Sequence, residues 1–399
     1  MKRAFGRVDI FLTIFKVLIT TEVLVLTFVW ILLFASMVLD KKYIERSDFF
    51  AFYTAGLMVR SGEIKKIYDI PTQLKYQSQI LGKEAKSYPL FRYLPFAAPV
   101  FYPFTFFNFY EAFFLLLVVN VILIIFMIII SKKTFKNLTR FKLWFLLPFS
   151  YYPIILTLVK GQVSIFLALV LLLIYRLLSK RPLIAGILFS FLLIKPHFFL
   201  AGLPFFFLIT KDKKNFLLGV FLASLFLFLL SVVLVGFKEL LQFPFYTLSS
   251  EVNLRGIAPE VIVNVDLFLI FTPIVRYLSQ SPWYTYLYGL TLYLIVLLIY
   301  AKKLNTVSYK YLYFSAVIFL VIFSYHTYPY DYALLLVPLM GLFGQAFGRK
   351  KTSLTLSILV ILLLIFPNVQ LMGSSLLNPL MLLTTAFFLL FGKHKTEIG

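Results

Sequence analysis

The sequence predicts an all-α integral membrane protein: a single membrane domain over residues 1–399, built as a bundle of about twelve transmembrane helices with amphipathic helices in its outer loops. Three observations predict it. The chain is 61% hydrophobic with a mean hydropathy of +0.95. Charged residues make up 14% of it, where a soluble domain carries about 25%. Its long apolar runs are separated by short basic clusters. A water-soluble fold is excluded. The 48 Phe and 25 Tyr suit a large lipid-facing surface with aromatic belts at the interfaces. With no Cys, disulfides, thiolate nucleophiles and Cys-based metal sites drop out together. His197, His326 and His394 are too scattered for a zinc site, and no Asp-x-Asp pair exists, so no metal or other cofactor is expected.

The formal net charge of +22 would suit nucleic acid only if it were gathered on one surface. It is dispersed instead. The clusters are Lys2 to Arg7, Lys132 to Lys142, Arg176 to Arg181, Lys211 to Lys214, Lys302 to Lys310, Arg349 to Lys351, and Lys393 with Lys395. Each sits between apolar runs, as the positive-inside rule predicts for cytoplasmic loops. Nucleic acid is therefore not an expected partner, and membrane lipids are. Counting spans of about 20 apolar residues between the clusters gives 17–39, 109–131, 143–159, 162–178, 182–194, 197–210, 215–236, 283–300, 310–324, 332–347, 353–366 and 375–391. Both termini then face the cytoplasm, in a multi-pass protein of the cell membrane. The first run is too long for a signal-peptide core and lacks a small-residue cleavage site, so it is expected to remain as a span.

The outer loops follow in order. Residues 40–108 form the first, with Ser47 as a helix N-cap, a short amphipathic helix after it lying in the interface, and a second helix from Pro71. Pro89, Pro95, Pro99 and Pro103 break the aromatic stretch that comes next, so it cannot be one straight span. Lys195-Pro196-His197 breaks two short spans, which leaves a cavity behind them. Residues 237–281 form a second outer loop; 261–281 is apolar, but counting it as a span would move two basic clusters outside, so it is expected to be re-entrant. The acids lie mostly on this outer side: Asp40, Glu45, Asp48, Glu63, Asp69, Glu84, Glu111, Glu239, Glu251, Glu260, Asp266 and Asp331.

Several outer motifs carry a resemblance. The run Asp48-Phe49-Phe50-Ala51-Phe52-Tyr53-Thr54-Ala55-Gly56, with Gly62 and Tyr68-Asp69, resembles the first outer loop of glycosyltransferase family 87. The Pro-rich 89–103 stretch, Gly161-Gln162, Gly186 with Lys195-Pro196, and Ser324 to Tyr332 follow in the family's order, so the similarity spans residues 45–340. The resemblance implies a GT-C type bundle and a mannosyltransferase. Its donor would be a polyprenyl-phosphate sugar and its acceptor an outer-face glycolipid or glycan.

Sugar transfer from a lipid phosphate needs a carboxylate to take the acceptor proton and to face the oxocarbenium-like carbon. The leaving phosphate needs cationic donors. Asp48, at the start of the outer helix and matching the family's catalytic Asp, is the candidate base; it could equally be a helix N-terminal acid, and Glu45 and Asp69 compete with it. For the phosphate the outer cations are Arg255, Lys195 with His197 at the helix break, and Lys160 before Gly161. Lys195 and Lys160 could also snorkel to headgroups. His326, Tyr328 and Asp331, in Tyr325 to Tyr332, suit sugar or acceptor binding, with His326 at a family active-site position. The alternative is an aromatic belt with Asp331 as a helix cap. Gln162 joins the sugar and acceptor set.

Two other classes compete. A lipid-linked-sugar flippase or transporter would share the spans and buried cations but would need access from both faces, and no inverted repeat is visible. A ligase or polymerase using a lipid pyrophosphate would want two outer Arg, of which Arg255 is secure and Arg46, Arg60 and Arg92 are not.

Overall fold

The computed structural model describes residues 2–85, 89–135, 137–247, 277–278, 283–348, 358–364 and 377–392. Arg255 and nearly all of 261–281 lie outside the described residues. Every regular element among the described residues is helical. In lipid each backbone N–H must be satisfied within its own segment, and a helix does this.

The labelled helices are α1 (Lys2–Leu39), α2 (Lys41–Glu45), α3 (Phe49–Arg60), α4 (Ile70–Leu81), α5 (Phe109–Thr134), α6 (Tyr152–Lys160), α7 (Ser164–Leu177), α8 (Pro182–Ser190), α9 (Pro196–Ile209), α10 (Lys213–Val235) and α11 (Phe237–Leu241). They continue with α12 (Trp283–Lys303), α13 (Tyr309–Ile322), α14 (Leu336–Gly348) and α15 (Leu377–Phe391). Among the described residues, five helices are long and apolar enough to cross a membrane: Thr13–Leu39, Phe109–Thr134, Lys213–Val235, Tyr284–Lys303 and Pro329–Phe347. Shorter apolar helices, among them Ser164–Leu177 and Tyr309–Ile322, fill the space between them.

In the first four of those long helices the most apolar stretch is only 22–33% buried, so Leu, Val, Ile and Phe side chains cover the outside of the bundle. Such a surface is stable against hydrocarbon and not against water. By contrast α13 is buried from Tyr311 to its end, which marks it as the bundle centre. Between α8 and α10 the backbones touch. A Cβ on Gly186 would run into the Phe216 carbonyl, and one on Gly219 into the Leu183 carbonyl. Only glycine allows that approach, which lets the Ser190 hydroxyl donate to the Val220 carbonyl at 3.0 Å.

Contacts sort the helix ends into two groups. At one end the Asp48 and Gln162 side chains meet, Ser164 and Lys195 reach Asp331, and the Phe96 amide donates to the Ser231 hydroxyl. At the other end Phe135 packs on Tyr175 and Phe314, and Phe141 on Phe347. There the Tyr309 hydroxyl donates to the Tyr175 carbonyl, and Lys303 lies over Phe391. The chain runs back and forth between these ends, and the basic clusters from Lys132 to Lys142, Arg176 to Arg181, Lys211 to Lys214 and Lys302 to Lys310 all follow or precede helix ends of the second group.

Several sequence expectations are corrected. The 143–159 run is not one helix: a 3-10 turn at Trp144–Leu146 is followed by irregular chain before α6, because Pro148 and Pro153 withhold amide donors and disfavour helix before them. Ser47 does not cap α3, since its hydroxyl donates to the Ile44 carbonyl at 2.7 Å. Nor is α3 amphipathic. Phe49 to Gly56 and Met58 are buried, and Phe52 stacks on Phe101 of the 3-10 segment Pro95–Phe106 at 4.4 Å. Gly56 makes room for the Phe101 carbonyl, which a Cβ would meet at 2.7 Å. The Pro-rich stretch forms a continuous 3-10 segment, Pro95–Phe106, and is the wall against which α3 packs. Helix α4 also starts as expected: Asp69 accepts from the Thr72 amide at 2.9 Å, Pro71 sits in its first turn, and Gly82 ends it at φ +63°.

Candidate active site

At the first end the helix breaks enclose a cavity of about 310 Å³. Its walls come from the α2–α3 corner (Asp48, Ala51), the Pro-rich loop (Arg92, Tyr93), the α6–α7 corner (Gln162), the α8–α9 break (Lys195, His197), the chain after α11 (Phe243, Thr247), and the segment after α13 (Tyr325, His326, Tyr328, Tyr330).

The α6–α7 corner sets the chemistry. Gly161 ends α6 in the left-handed region at φ +63°, where its amide donates to the Leu158 carbonyl and that of Gln162 to the Thr157 carbonyl, closing a Schellman turn. A Cβ there would stand 2.6 Å from the Cβ of Phe49. A residue with a side chain therefore could not bring this turn so close to the start of α3. The approach lets Gln162, 3% exposed, donate from Nε2 to Asp48 Oδ2 at 2.8 Å. Its Oε1 accepts from the Tyr93 hydroxyl at 3.0 Å, and Nε2 also lies 3.3 Å from the Tyr330 hydroxyl. Burial, with the Asp48 charge nearby, pushes the Tyr93 phenol well above its ordinary value, so Tyr93 remains a donor and fixes the orientation of the amide.

Opposite stands Lys195. Pro196 cannot continue the preceding 3-10 turn Phe191–Ile194, and the break leaves the Lys195 side chain buried at 4% exposure. Its ammonium donates to Asp331 Oδ1 at 2.5 Å and lies 4.7 Å from the Tyr330 ring centre. Asp331 is wholly buried, accepting also from the Ser164 hydroxyl at 2.7 Å and from the Tyr328 amide at 3.1 Å. It thus ties three segments together behind the cavity wall. His326 Nε2 lies 2.9 Å from the Tyr328 hydroxyl, and the His197 and His326 rings stand edge to face at 5.9 Å. The enclosed His197 Nε2 has no hydrogen-bond partner among the described residues, which leaves an unpaired polar atom buried in the wall.

Of the residues singled out in the sequence, Asp48, Gln162, Lys195, His197, His326 and Tyr328 come together around one cavity. Asp331 does not line it and holds its wall in place, which agrees with the capping alternative. Lys160 ends α6, partly buried and away from the cavity, because the Gly161 turn sends the chain back. Of the competing carboxylates, Glu45 binds Lys83 and Tyr110, and Asp69 caps α4; neither lines the cavity. Sequence reasoning missed Tyr93 and Tyr330 and set Arg92 aside. Phe91-Arg92-Tyr93, polar groups between Pro89 and Pro95, was the available signal. Among the described residues no group of three His, Asp or Glu could hold a metal ion.

Comparison with known proteins gives a family match. A model described as Glycosyltransferase family 87 matches residues 91–324, more than half of the chain. Tyr93, Gln162, Lys195 and His197 fall within that stretch, whereas Asp48, His326 and Asp331 lie outside it. No curated protein and no solved structure matches.

Proposed function

The chain belongs to glycosyltransferase family 87, and is therefore a glycosyltransferase; from that premise we propose that it moves a hexose, mannose by family resemblance, from a polyprenyl monophosphate to a hydroxyl of a glycolipid or glycan. The fold proposed for it is a GT-C type bundle of about twelve spans. The observation that carries the reading is the cavity itself, with a carboxylate held by Gln162 on one wall and a buried ammonium and an unpaired imidazole nitrogen on the other.

The reaction is a single inverting displacement. The acceptor oxygen gives its proton to Asp48 and bonds to the anomeric carbon. As that bond forms, the bond from the same carbon to the phosphate oxygen breaks, and polyprenyl phosphate departs with both electrons. Lys195 has three N–H groups, one of them spent on Asp331. The remainder, with His197, receive the leaving phosphate as fixed donors in a cavity of low polarity. His326 and Tyr328 bind sugar or acceptor hydroxyls. Arg255 remains a proposed phosphate ligand on its sequence position alone.

The assay for this reading offers the purified protein a panel of polyprenyl-phosphate hexoses with alkyl glycoside acceptors. Elongated glycoside should appear in step with free polyprenyl phosphate. Consumption of no donor, with transport of one across vesicles, would replace the enzyme by a carrier.

The cavity lies at the end of the bundle opposite the basic clusters, and the positive-inside rule then turns it outward with both termini cytoplasmic. The native chain has no cysteine, so single thiols report sidedness cleanly. A thiol from Tyr325→Cys should react with an impermeant maleimide from outside, and one from Lys142→Cys only after permeabilisation. Reaction of both from the same face would refute the orientation.

A further inference from the structure

We infer that a second, polar groove beside the cavity binds the acceptor sugar that does not react; this rests on the transferase reading above. The groove, of about 400 Å³, lies between the start of α4 and α11, with Lys66, Tyr68, Asp69, Glu239 and Gln242 among its walls.

Three observations lead there. The first is size. A cavity of about 310 Å³ is at the small end of ligand sites, which run from about 300 to 1,000 Å³. It has to take the donor ring, its phosphate and the attacking end of the acceptor, so any further acceptor ring lies outside. The second is position. Tyr68 forms part of the groove, and its ring packs on Phe243 at 5.7 Å, which also lines the cavity. The Tyr68 hydroxyl donates to the Tyr93 carbonyl at 2.9 Å. The packed pair of rings, Tyr68 on the groove side and Phe243 on the cavity side, therefore stands between groove and cavity.

The third is chemistry. Gln242 is exposed and offers both an amide donor and an acceptor. Glu239 folds its carboxylate over Gly236, 2.7 Å from where a Cβ would sit, so only the missing side chain leaves room for that acceptor there. Asp69 Oδ2 already serves the Thr72 amide and hydroxyl, which leaves recognition to the opposite wall. Carboxylate and amide against a tyrosine ring suit the hydroxyls and apolar face of a sugar. Lys65 and Lys66 could draw a lipid phosphate, but Lys66 lies 3.4 Å from Glu63, and Asp69 and Glu239 in the same walls balance the two ammonium charges.

The test uses the whole protein and does not depend on turnover. A thiol from Gln242→Cys is labelled with an impermeant maleimide in the presence of octyl monohexosides or octyl dihexosides of the manno, gluco and galacto series. A dihexoside should slow labelling several-fold where its monohexoside does not. In kinetic assays Glu239→Gln and Gln242→Ala should raise KM for the dihexoside several-fold, with kcat and the monohexoside KM unchanged. Equal labelling with every glycoside, or protection by anionic lipid vesicles alone, overturns the subsite. Donor left unconsumed with all acceptors would instead defeat the transferase reading, while the labelling result still decides the groove.

Discussion

Asp48→Asn should lower turnover by about 10²–10⁴-fold, the usual cost of removing a general base, and leave donor binding and folding intact. The substitution is nearly isosteric. An Asn carbonyl can still accept from Gln162 Nε2, so the hydrogen bond at 2.8 Å survives with its partners Tyr93 and Tyr330. What disappears is the proposed acceptor of the proton and the negative charge it would place beside the oxocarbenium-like carbon. The proposed leaving-phosphate donors, Lys195 and His197, are on other segments. The measurements are single-turnover transfer, binding of polyprenyl phosphate, and thermal unfolding in detergent. A variant with near-native turnover would show that Asp48 is not the base, above all if Glu45→Gln were then inactive.

Asp331→Asn should cost more stability than any other single change in the site, about 3–5 kcal/mol, as expected when one half of a buried ion pair is removed. Both partners are almost wholly enclosed, at 4% and 0% exposure, so water cannot replace the lost charge. The Lys195→Met change should destabilise for the mirror reason. Replacing both together, Lys195→Met with Asp331→Leu, should recover part of the loss, because no uncompensated charge stays behind. Catalysis should separate the roles: the double variant regains stability yet stays slow, since the Lys195 ammonium that faces the cavity is gone. Thermal unfolding that is simply additive would mean that the two residues do not act as a pair. A double variant that is both stable and fully active would free Lys195 of any part in leaving-group departure.

Composition and charge spacing made the membrane fold legible, because the cost of burying a charge in lipid acts on every span alike. Local breaks were legible too: Pro196 after Lys195 and Pro71 after Asp69 act within one turn of chain. The expectation failed for α3, where Phe49 to Phe52 looked half-lipid-facing. Its neighbours are Phe101, Phe104, Phe109 and Phe113, some fifty or sixty residues later in the chain, and no local pattern announces them. The same holds for the site. Asp48, Tyr93 and Gln162 touch through a glycine whose use is visible only once Phe49 is placed beside it. Asp331 read as a ligand because a His preceded it, and its neighbours instead turn it into an internal tie.

The contact between Gln162 and Asp48 breaks a symmetry. A free carboxylate has two interchangeable oxygens, and a half-turn of the group exchanges them. Here Oδ2 is held at 2.8 Å by an amide N–H, and the Tyr93 hydroxyl keeps that amide from flipping. The oxygens have become distinct, one an anchor and the other an arm. On the proposed mechanism a proton taken up by Asp48 would settle on Oδ1, and the acceptor hydroxyl would have one direction of approach. The stereochemistry of transfer would then begin in the orientation of a side chain that never touches the sugar's anomeric carbon.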